Sequence, residues 1–359
     1  MRHRHSDYMP WAKTQSKARF NLATSGVGSF PLAELPHPPT LEINGDSGYG
    51  YAPLQQAIAR KCGVDPDCVV AAAGTSMANH LAMAALLEPG DEVLIEHPAY
   101  ELMVSAALFL GAEVKRFRRA EEHGYVLEAA AVARAITPKT KLIVITNLHN
   151  PSSVLASDSV LREIGEMARG VGAHVLVDEV YLDAVYENTP RTAYLLGDEF
   201  VVTNSLTKVY GLSGLRCGWI LAQPDLARAM WRLNDLFGVI PAHPAELLSV
   251  AAFEQLDFIR ERARKVVDAD RAILGAANMQ GSSLALSAPR TAWGTTAFFH
   301  LHGGNVEAFL ARLRTEYETS AVPGRFFEMP DCFRIGMGVN TEMFREGMRR
   351  IGLALGCGT

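Results

Sequence analysis

The chain has 359 residues, 48% of them hydrophobic and 20% charged, with a formal net charge of -5. That size and balance suit a globular protein of two domains, or one large domain with a smaller satellite, around a sizeable core. No basic face dominates, which argues against nucleic acid as the main partner, and no apolar run approaches the ~18 residues needed to span a membrane.

Five cysteines (Cys62, Cys68, Cys217, Cys332, Cys357) are scattered without C-x-x-C spacing. Free thiols in a reducing cytoplasm are expected rather than disulfides or a metal site. The opening residues, M-R-H-R-H-S-D-Y-M-P-W, lack the apolar core of a signal peptide, and His3 and His5 read as part of a frayed, solvated terminus. Ser25, Gly26, Val27 and Gly28 are too permissive for the interior of an element and read as a loop. Residues 45–51, G-D-S-G-Y-G-Y, form a turn-rich stretch before Pro53 and the helical pattern L-Q-Q-A-I-A-R-K.

Short apolar runs then alternate with helical patterns. Strands are predicted at 69–73, 92–96, 114–117, 141–146, 174–177 and 200–203, and helices at 77–87, 99–110, 127–136 and 158–169. This alternation predicts an α/β fold with a mainly parallel, doubly wound sheet, which binds ligands at the carboxyl ends of its strands. A helix opens at Pro224, and a long helical pattern from about 245 to 279 leads out of the large domain. Strands at 284–287, 297–301 and 333–335 with helices at 306–317 and 342–353 predict a small α+β domain. The expected division is an N-terminal segment (1–48), a large domain (49–262) and a small domain (263–359).

The polar residues that punctuate this pattern cluster at predicted strand ends. Gly74, Thr75 and Ser76 follow the first strand, where they suit either an anion site or a plain helix cap. His97, Pro98 and Tyr100 follow the second. N-L-H-N-P-S-S (147–153) follows the strand at 141–146, and D-E-V-Y (178–181) ends the strand begun at His174. After the strand at 200–203 comes S-L-T-K, with Ser205 and Lys208, then Arg216 and Gly218. A lysine leaving a buried strand has its amine desolvated, which favours the neutral, nucleophilic form. Near the end, P-G-R-F-F (323–327) precedes F-R-I (333–335), and an arginine within an apolar strand is costly unless paired.

Taken together, S-x-x-K with R-x-G, N-x-x-N-P, D-E-x-Y, P-x-Y, G-T-S and the late F-R-I resemble the class I/II aminotransferase family of fold-type I pyridoxal-phosphate (PLP) enzymes. The resemblance covers nearly the whole chain. It implies that Lys208 is the Schiff-base lysine and that Gly74, Thr75, Ser76, Ser205 and Arg216 hold the cofactor phosphate. It places Tyr100 over the pyridine ring, Asp178 at the ring nitrogen, and Asn150 and Tyr181 at the phenolic oxygen. Arg334 takes the substrate α-carboxylate, with Val27 and Asn150 beside the substrate, and no metal is implied. The family's N-P-T-G is altered here, since Ser152 and Ser153 replace the threonine and glycine. The resemblance further implies a homodimer with shared sites, in which Tyr49, in preference to Tyr51, reaches the partner's phosphate. Trp231, Phe237, Val239 and His243 are expected either to line the partner's side-chain pocket or, for Trp231 and Phe237, to be helix core; this apolar stretch disfavours a dicarboxylic substrate.

The implied reaction is transfer of the amino group of an L-amino acid to a 2-oxo acid. A lyase, cyclase or synthase of amino-acid or natural-product metabolism on the same fold is the alternative. A DNA-binding regulator is disfavoured because few residues precede the core, and a dehydrogenase because no G-x-G-x-x-G opens a helix after a strand.

Overall fold

A computed structural model describes residues 3–35, 37–276, 285–287 and 291–356. The chain opens with helix α1 (Tyr8–Thr14) and strand β1 (Phe20–Asn21), then α2 (Ala52–Cys62). The alternating part runs β2 (Val69–Ala73), α3 (Gly74–Leu86), β3 (Glu92–His97), α4 (Glu101–Leu110), β4 (Glu113–Arg118), α5 (Ala129–Ala135) and β5 (Thr140–Thr146). It continues with α6 (Asp158–Val171), β6 (His174–Asp178), β7 (Phe200–Ser205), β8 (Cys217–Leu221) and α7 (Pro224–Asn234). Two helices follow, α8 (His243–Glu254) and α9 (Leu256–Ala276). The remainder is β9 (Ala285–Ser287), β10 (Thr296–His302), α10 (Val306–Tyr317), β11 (Thr319–Ser320), β12 (Val322–Pro323), β13 (Cys332–Gly336) and α11 (Thr341–Ala354).

Seven strands form one sheet in the order β2-β8-β7-β6-β5-β3-β4, parallel except for β8, which runs antiparallel to both its neighbours. Alternate residues of each strand enter opposite layers. Leu94, Ile143, Val175 and Val202 pack beneath α2, α5 and α6, while Val93, Leu142, Leu176 and Val201 pack beneath α3, α4 and α7. Both faces are therefore covered, which is why the strands read as continuous apolar runs rather than alternating ones. The helices follow the same logic. In α6 the buried residues Leu161, Ile164, Gly165 and Ala168 form one stripe, Ser157 caps the start, and Gly172 (φ 72°) ends it in the left-handed conformation.

The second sheet, β12-β13-β10-β9, is antiparallel. Phe299, Phe333 and Ile335 pack against Leu313, Phe344 and Ile351 of α10 and α11. The opposite face carries Phe298, Cys332 and Val322 together with Phe326 and Phe327, and Arg334 lies opposite Phe298 in the strand register. Between the two sheets runs the N-terminal segment. Its strand β1 pairs in parallel with β11, matching Phe20 to Thr319.

Several boundaries differ from the sequence-based expectation for identifiable reasons. Helix α3 begins at Gly74 rather than at 77, because the polar triplet forms its first turn. The long helix expected from 245 breaks at Gln255, whose backbone (φ -124°, ψ 21°) leaves the helical region. Its expected continuation to 279, the start of the strand at 284 and Cys357 lie outside the described residues. Strand β8 was hidden within the glycine-rich lysine segment, and α1 within a terminus expected to be solvated.

Candidate active site

The carboxyl ends of β5, β6 and β7 stand side by side, with Thr146 opposite Asp178 and Asp178 opposite Thr203. Above them lies a cavity of about 560 Å³ lined by residues that include Thr75, Ser76, Tyr100, Asn150, Asp178, Tyr181, Lys208, Arg216 and Arg334. The fold thus brings together nine of the predicted residues from six separate stretches of chain.

Lys208 leaves the turn after β7, and its Nζ donates to Ser25 Oγ at 2.8 Å. Burial is the chief influence on this amine and lowers its pKa below the ordinary lysine value, with Arg334 and Arg216 adding to the effect. Ser25 is there because the N-terminal loop is threaded tightly past the lysine. Val27 N–H donates to Lys208 O at 2.8 Å, Gly28 N–H to Gly338 O at 2.7 Å, and Thr295 Oγ1 to Ser25 O at 2.9 Å. A Cβ on Gly26 would stand 2.7 Å from Lys208 O, so this passage requires glycine. Val27 itself turns its side chain against Gly338, and it is Ser25 that lines the cavity.

At the far end of the cavity floor, Asp178 is buried and its carboxylate is held from both sides. Oδ2 accepts from Asn79 Nδ2 at 2.8 Å and Oδ1 from Val180 N–H at 3.0 Å. Asn79 is itself fixed by Thr203 Oγ1, which donates to its Oδ1 at 2.5 Å. Burial outweighs these bonds and raises the Asp178 pKa to about 6. Burial likewise raises the Tyr181 phenol, keeping it protonated and able to donate.

The start of α3 bears on the choice between a helix cap and an anion site. The cap position falls on Ala73, which makes no side-chain cap bond. Thr75 Oγ1 instead donates to Ser205 Oγ at 2.8 Å, and Ser205 Oγ accepts from Thr207 N–H at 3.2 Å. Arg216 Nη2 donates to Ala73 O at 3.0 Å, passing so close that a Cβ on Gly74 would stand 2.2 Å from it. Hydroxyls, uncapped amides at a helix start and a guanidinium therefore converge, which is the donor set of an oxyanion site.

Arg334 is fully buried on β13. Nη1 donates to Asn150 Oδ1 at 2.7 Å, and the guanidinium lies 4.9 Å from the Phe327 ring centroid, but among the described residues Nε and Nη2 have no partner. Asn150 is placed by the turn 147–153. Ser153 adopts φ 61° there, so a serine takes the left-handed conformation expected of glycine, and its Oγ donates to Thr296 O at 2.9 Å. His149 locks the same turn. Its Nδ1 pairs with Ser152 Oγ at 2.6 Å and its Nε2 with Pro98 O at 2.9 Å, and burial holds its pKa well below the ordinary value, so the ring is neutral.

Four further expected residues stand apart from this cavity. Tyr49 is 58% exposed and donates to Asp235 Oδ2 at 3.1 Å. Trp231 is core, with its Nε1 donating to Val69 O at 3.2 Å, whereas Phe237 and Val239 are exposed. From the 25–28 loop the resemblance chose Val27 rather than its neighbour Ser25, and sequence reasoning passed over Asn79, His149, Met9 and Lys13. Asn79 alone left a signal, as a polar residue on the apolar face of α3.

The family model "Aminotransferase class I and II" matches residues 43–351. The chain belongs to that family. Capreomycidine synthase of Streptomyces vinaceus is 28% identical over 355 residues, covering 95% of this chain and 90% of its own. A PLP-dependent aminotransferase from Streptococcus suis has a similar structure, with a TM-score of 0.92 and 26% identity over 99% of this chain and 98% of that one. A PLP-dependent cyclase matches with a TM-score of 0.85 and 25% identity, covering 93% and 92% of the two chains. The chain is thus a PLP-dependent enzyme of the aminotransferase family, on the α/β fold of fold-type I. The residues present fit that cofactor. An uncapped helix start with Ser205 and Arg216 suits its phosphate, a buried carboxylate suits its ring nitrogen, and a desolvated lysine suits its aldehyde.

Proposed function

We propose that this enzyme is an aminotransferase that moves the amino group of an L-amino acid to a 2-oxo acid. The reading is carried by Arg334, a buried guanidinium with two unpartnered donors that shares one cavity with the Lys208 amine. A planar fork of that kind takes a carboxylate bidentately and so presents an amino acid's α-carbon to the lysine.

When bound, PLP supplies an aldehyde that captures the amino group and a ring that withdraws the electron pair left at the α-carbon. Lys208 Nζ would hold the cofactor between turnovers and then move the α-proton. Ser25 Oγ, accepting from that amine, would keep it aimed. Asp178, clamped by Asn79 and Val180, would hold a proton at the ring nitrogen. Tyr181 and Asn150 Nδ2 would donate to the ring oxygen, while Gly74, Thr75, Ser76, Ser205 and Arg216 hold the phosphate and Tyr100 covers the ring. Asn150 Oδ1 would orient Arg334 on the α-carboxylate. Lys208 remains the only reacting base in this account.

The same reading makes the enzyme a cytoplasmic homodimer with shared sites, in which Tyr49 reaches the partner's phosphate. Leu236, Phe237, Val239 and Ile240 are exposed beside Tyr49's partner Asp235, which supports a covered face there. Cys62, Cys68, Cys217 and Cys332 are free thiols, which supports a reducing compartment. No helix among the described residues is long and apolar enough to cross a membrane.

A second reading, a cyclase or synthase, is supported by capreomycidine synthase and the structurally similar cyclase, whose matches take in nearly the whole chain. Both reactions begin by breaking a bond at the α-carbon, and they part in what happens next. A spectral titration separates them. Addition of L-amino acids alone should abolish the absorbance of the bound aldehyde form, and a 2-oxo acid should restore it. Persistence of that absorbance while the amino acid is consumed would select the second reading.

A further inference from the structure

The cavity wall carries four cationic side chains, Lys13, Lys208, Arg216 and Arg334, and a single carboxylate, Asp178. Three of these cations have a ligand under the proposed function: a phosphate, a carbonyl carbon and an α-carboxylate. Lys13 has none. Among the described residues no carboxylate lies within ion-pair distance of it, although the surface elsewhere is rich in ion pairs.

Its position is fixed by the rest of α1. Tyr8 is buried, with its ring edge-on to Tyr100 at 5.5 Å and to Phe326 at 5.3 Å, and Trp11 lies 5.4 Å from the same phenylalanine. The start of the helix is pinned where Ser6 Oγ donates to Glu101 Oε2 at 2.5 Å and accepts from Met9 N–H at 3.1 Å. With its aromatic side so anchored, α1 places half-buried Met9 and exposed Lys13 along the cavity wall; they are one helical turn apart and share a face. The Lys13 ammonium also sits in the last turn of the helix, where the backbone dipole favours a positive charge.

We propose that Lys13 is the subsite for a second, distal carboxylate, so that the enzyme takes a dicarboxylic amino acid and the matching 2-oxo acid. The proposal rests on the reading of this cavity as an amino-acid site with Arg334 at the α-carboxylate. Met9, Leu102 and Val180 offer an apolar lining for the methylene groups that separate the two carboxylates. A cationic side chain in the same place would face Lys13, Arg216 and Arg334, while Asp178, the carboxylate of this lining, is engaged at the ring nitrogen under the proposed function. Of the apolar stretch that argued against a dicarboxylic substrate, Trp231 is core and Phe237 and Val239 are exposed, and none of the three lines this cavity within the subunit.

The test compares wild type, Lys13→Gln and Lys13→Glu, each loaded with PLP and followed first by the cofactor spectrum, which should be the same in all three. Calorimetry then measures binding of unreactive succinate and glutarate against butyrate and valerate. Wild type should bind each dicarboxylate about fivefold more tightly than its monocarboxylate, the size expected of an exposed ion pair, with the advantage shrinking in salt. Lys13→Gln should erase the advantage and Lys13→Glu reverse it, with monocarboxylate affinity unchanged in both. A preference absent from wild type, or surviving in Lys13→Gln, overturns the subsite alone. Equal loss of both ligand classes in the variants shows α1 to be only a structural cover and also overturns it. Failure of wild type to take up the cofactor overturns the functional reading and this proposal with it.

Discussion

Arg334 Nη1 donates to Asn150 Oδ1 at 2.7 Å, and with the bond from Ser153 Oγ to Thr296 O it joins the small antiparallel sheet to the turn that follows β5 in the large one. It also sets the plane of a guanidinium whose Nε and Nη2 have no partner among the described residues. A buried cation left partly unpaired is unfavourable unless a ligand completes it.

Replacing Arg334 with lysine keeps the charge and removes the fork. We expect this to weaken carboxylate ligands by about 2 kcal/mol, roughly thirtyfold, while leaving the spectrum of the bound cofactor unchanged. Equilibrium titration with an unreactive carboxylate measures it, and undiminished affinity would remove Arg334 from the α-carboxylate.

Borohydride reduction of PLP-loaded protein should leave the cofactor attached to the peptide containing Lys208. Lys208→Ala should carry none, because burial makes the Lys208 amine the more available nucleophile than the solvated lysines. Mass spectrometry of the digests reads the site, and label on another lysine would count against the assignment.

The Asp178 carboxyl is raised by burial from its ordinary 3.8 to about 6. A carboxyl raised on folding binds its proton more tightly in the native state, so its contribution to stability is full below the unfolded pKa and lost as pH rises through the folded one. The difference amounts to about 3 kcal/mol. In cofactor-free protein, Asp178→Asn should therefore flatten the fall in stability between pH 3.8 and about 6 and should be the more stable form at neutral pH. Chemical unfolding across that range checks the sign. A constant gap between the two proteins would contradict it.

Ser153→Gly relieves a left-handed serine, a gain of about 1 kcal/mol, and removes the bond to Thr296 O, a loss of similar size. Its thermal midpoint should stay close to that of wild type. Ser153→Val places a β-branched side chain at φ 61° and should lose about 2 kcal/mol or more, read as a lowered midpoint.

These contrasts show which parts of the molecule its sequence reveals. The large sheet was legible because both its faces are covered, so each parallel strand is an apolar run closed by a polar turn. Strand β8 was not, because Cys217, Gly218 and Trp219 follow the lysine segment without a break in composition. The site residues that sequence analysis assembled belong to local motifs, such as Asp178 with Tyr181. Those it missed act across the chain: Ser25 reaches Lys208 over 183 positions, and Asn79 reaches Asp178 over 99. No local pattern encodes such a meeting, which depends on how β1 and α3 are laid over the strand ends. Lys13 belongs with them, since only the packing of Tyr8 and Trp11 shows which way α1 faces.

The pairing of β1 with β11, and of Gly28 with Gly338, also has a consequence for biosynthesis. Leaving the ribosome, the chain completes the large sheet and exposes Lys208 long before the residues that hold Ser25 beside it have been translated. The Arg334 guanidinium, proposed to receive the amino acid, arrives at the same late stage, on the penultimate regular element. A nascent chain arrested before residue 319 should therefore be a cofactor carrier without a place for its substrate, and activity should appear only when translation is nearly finished.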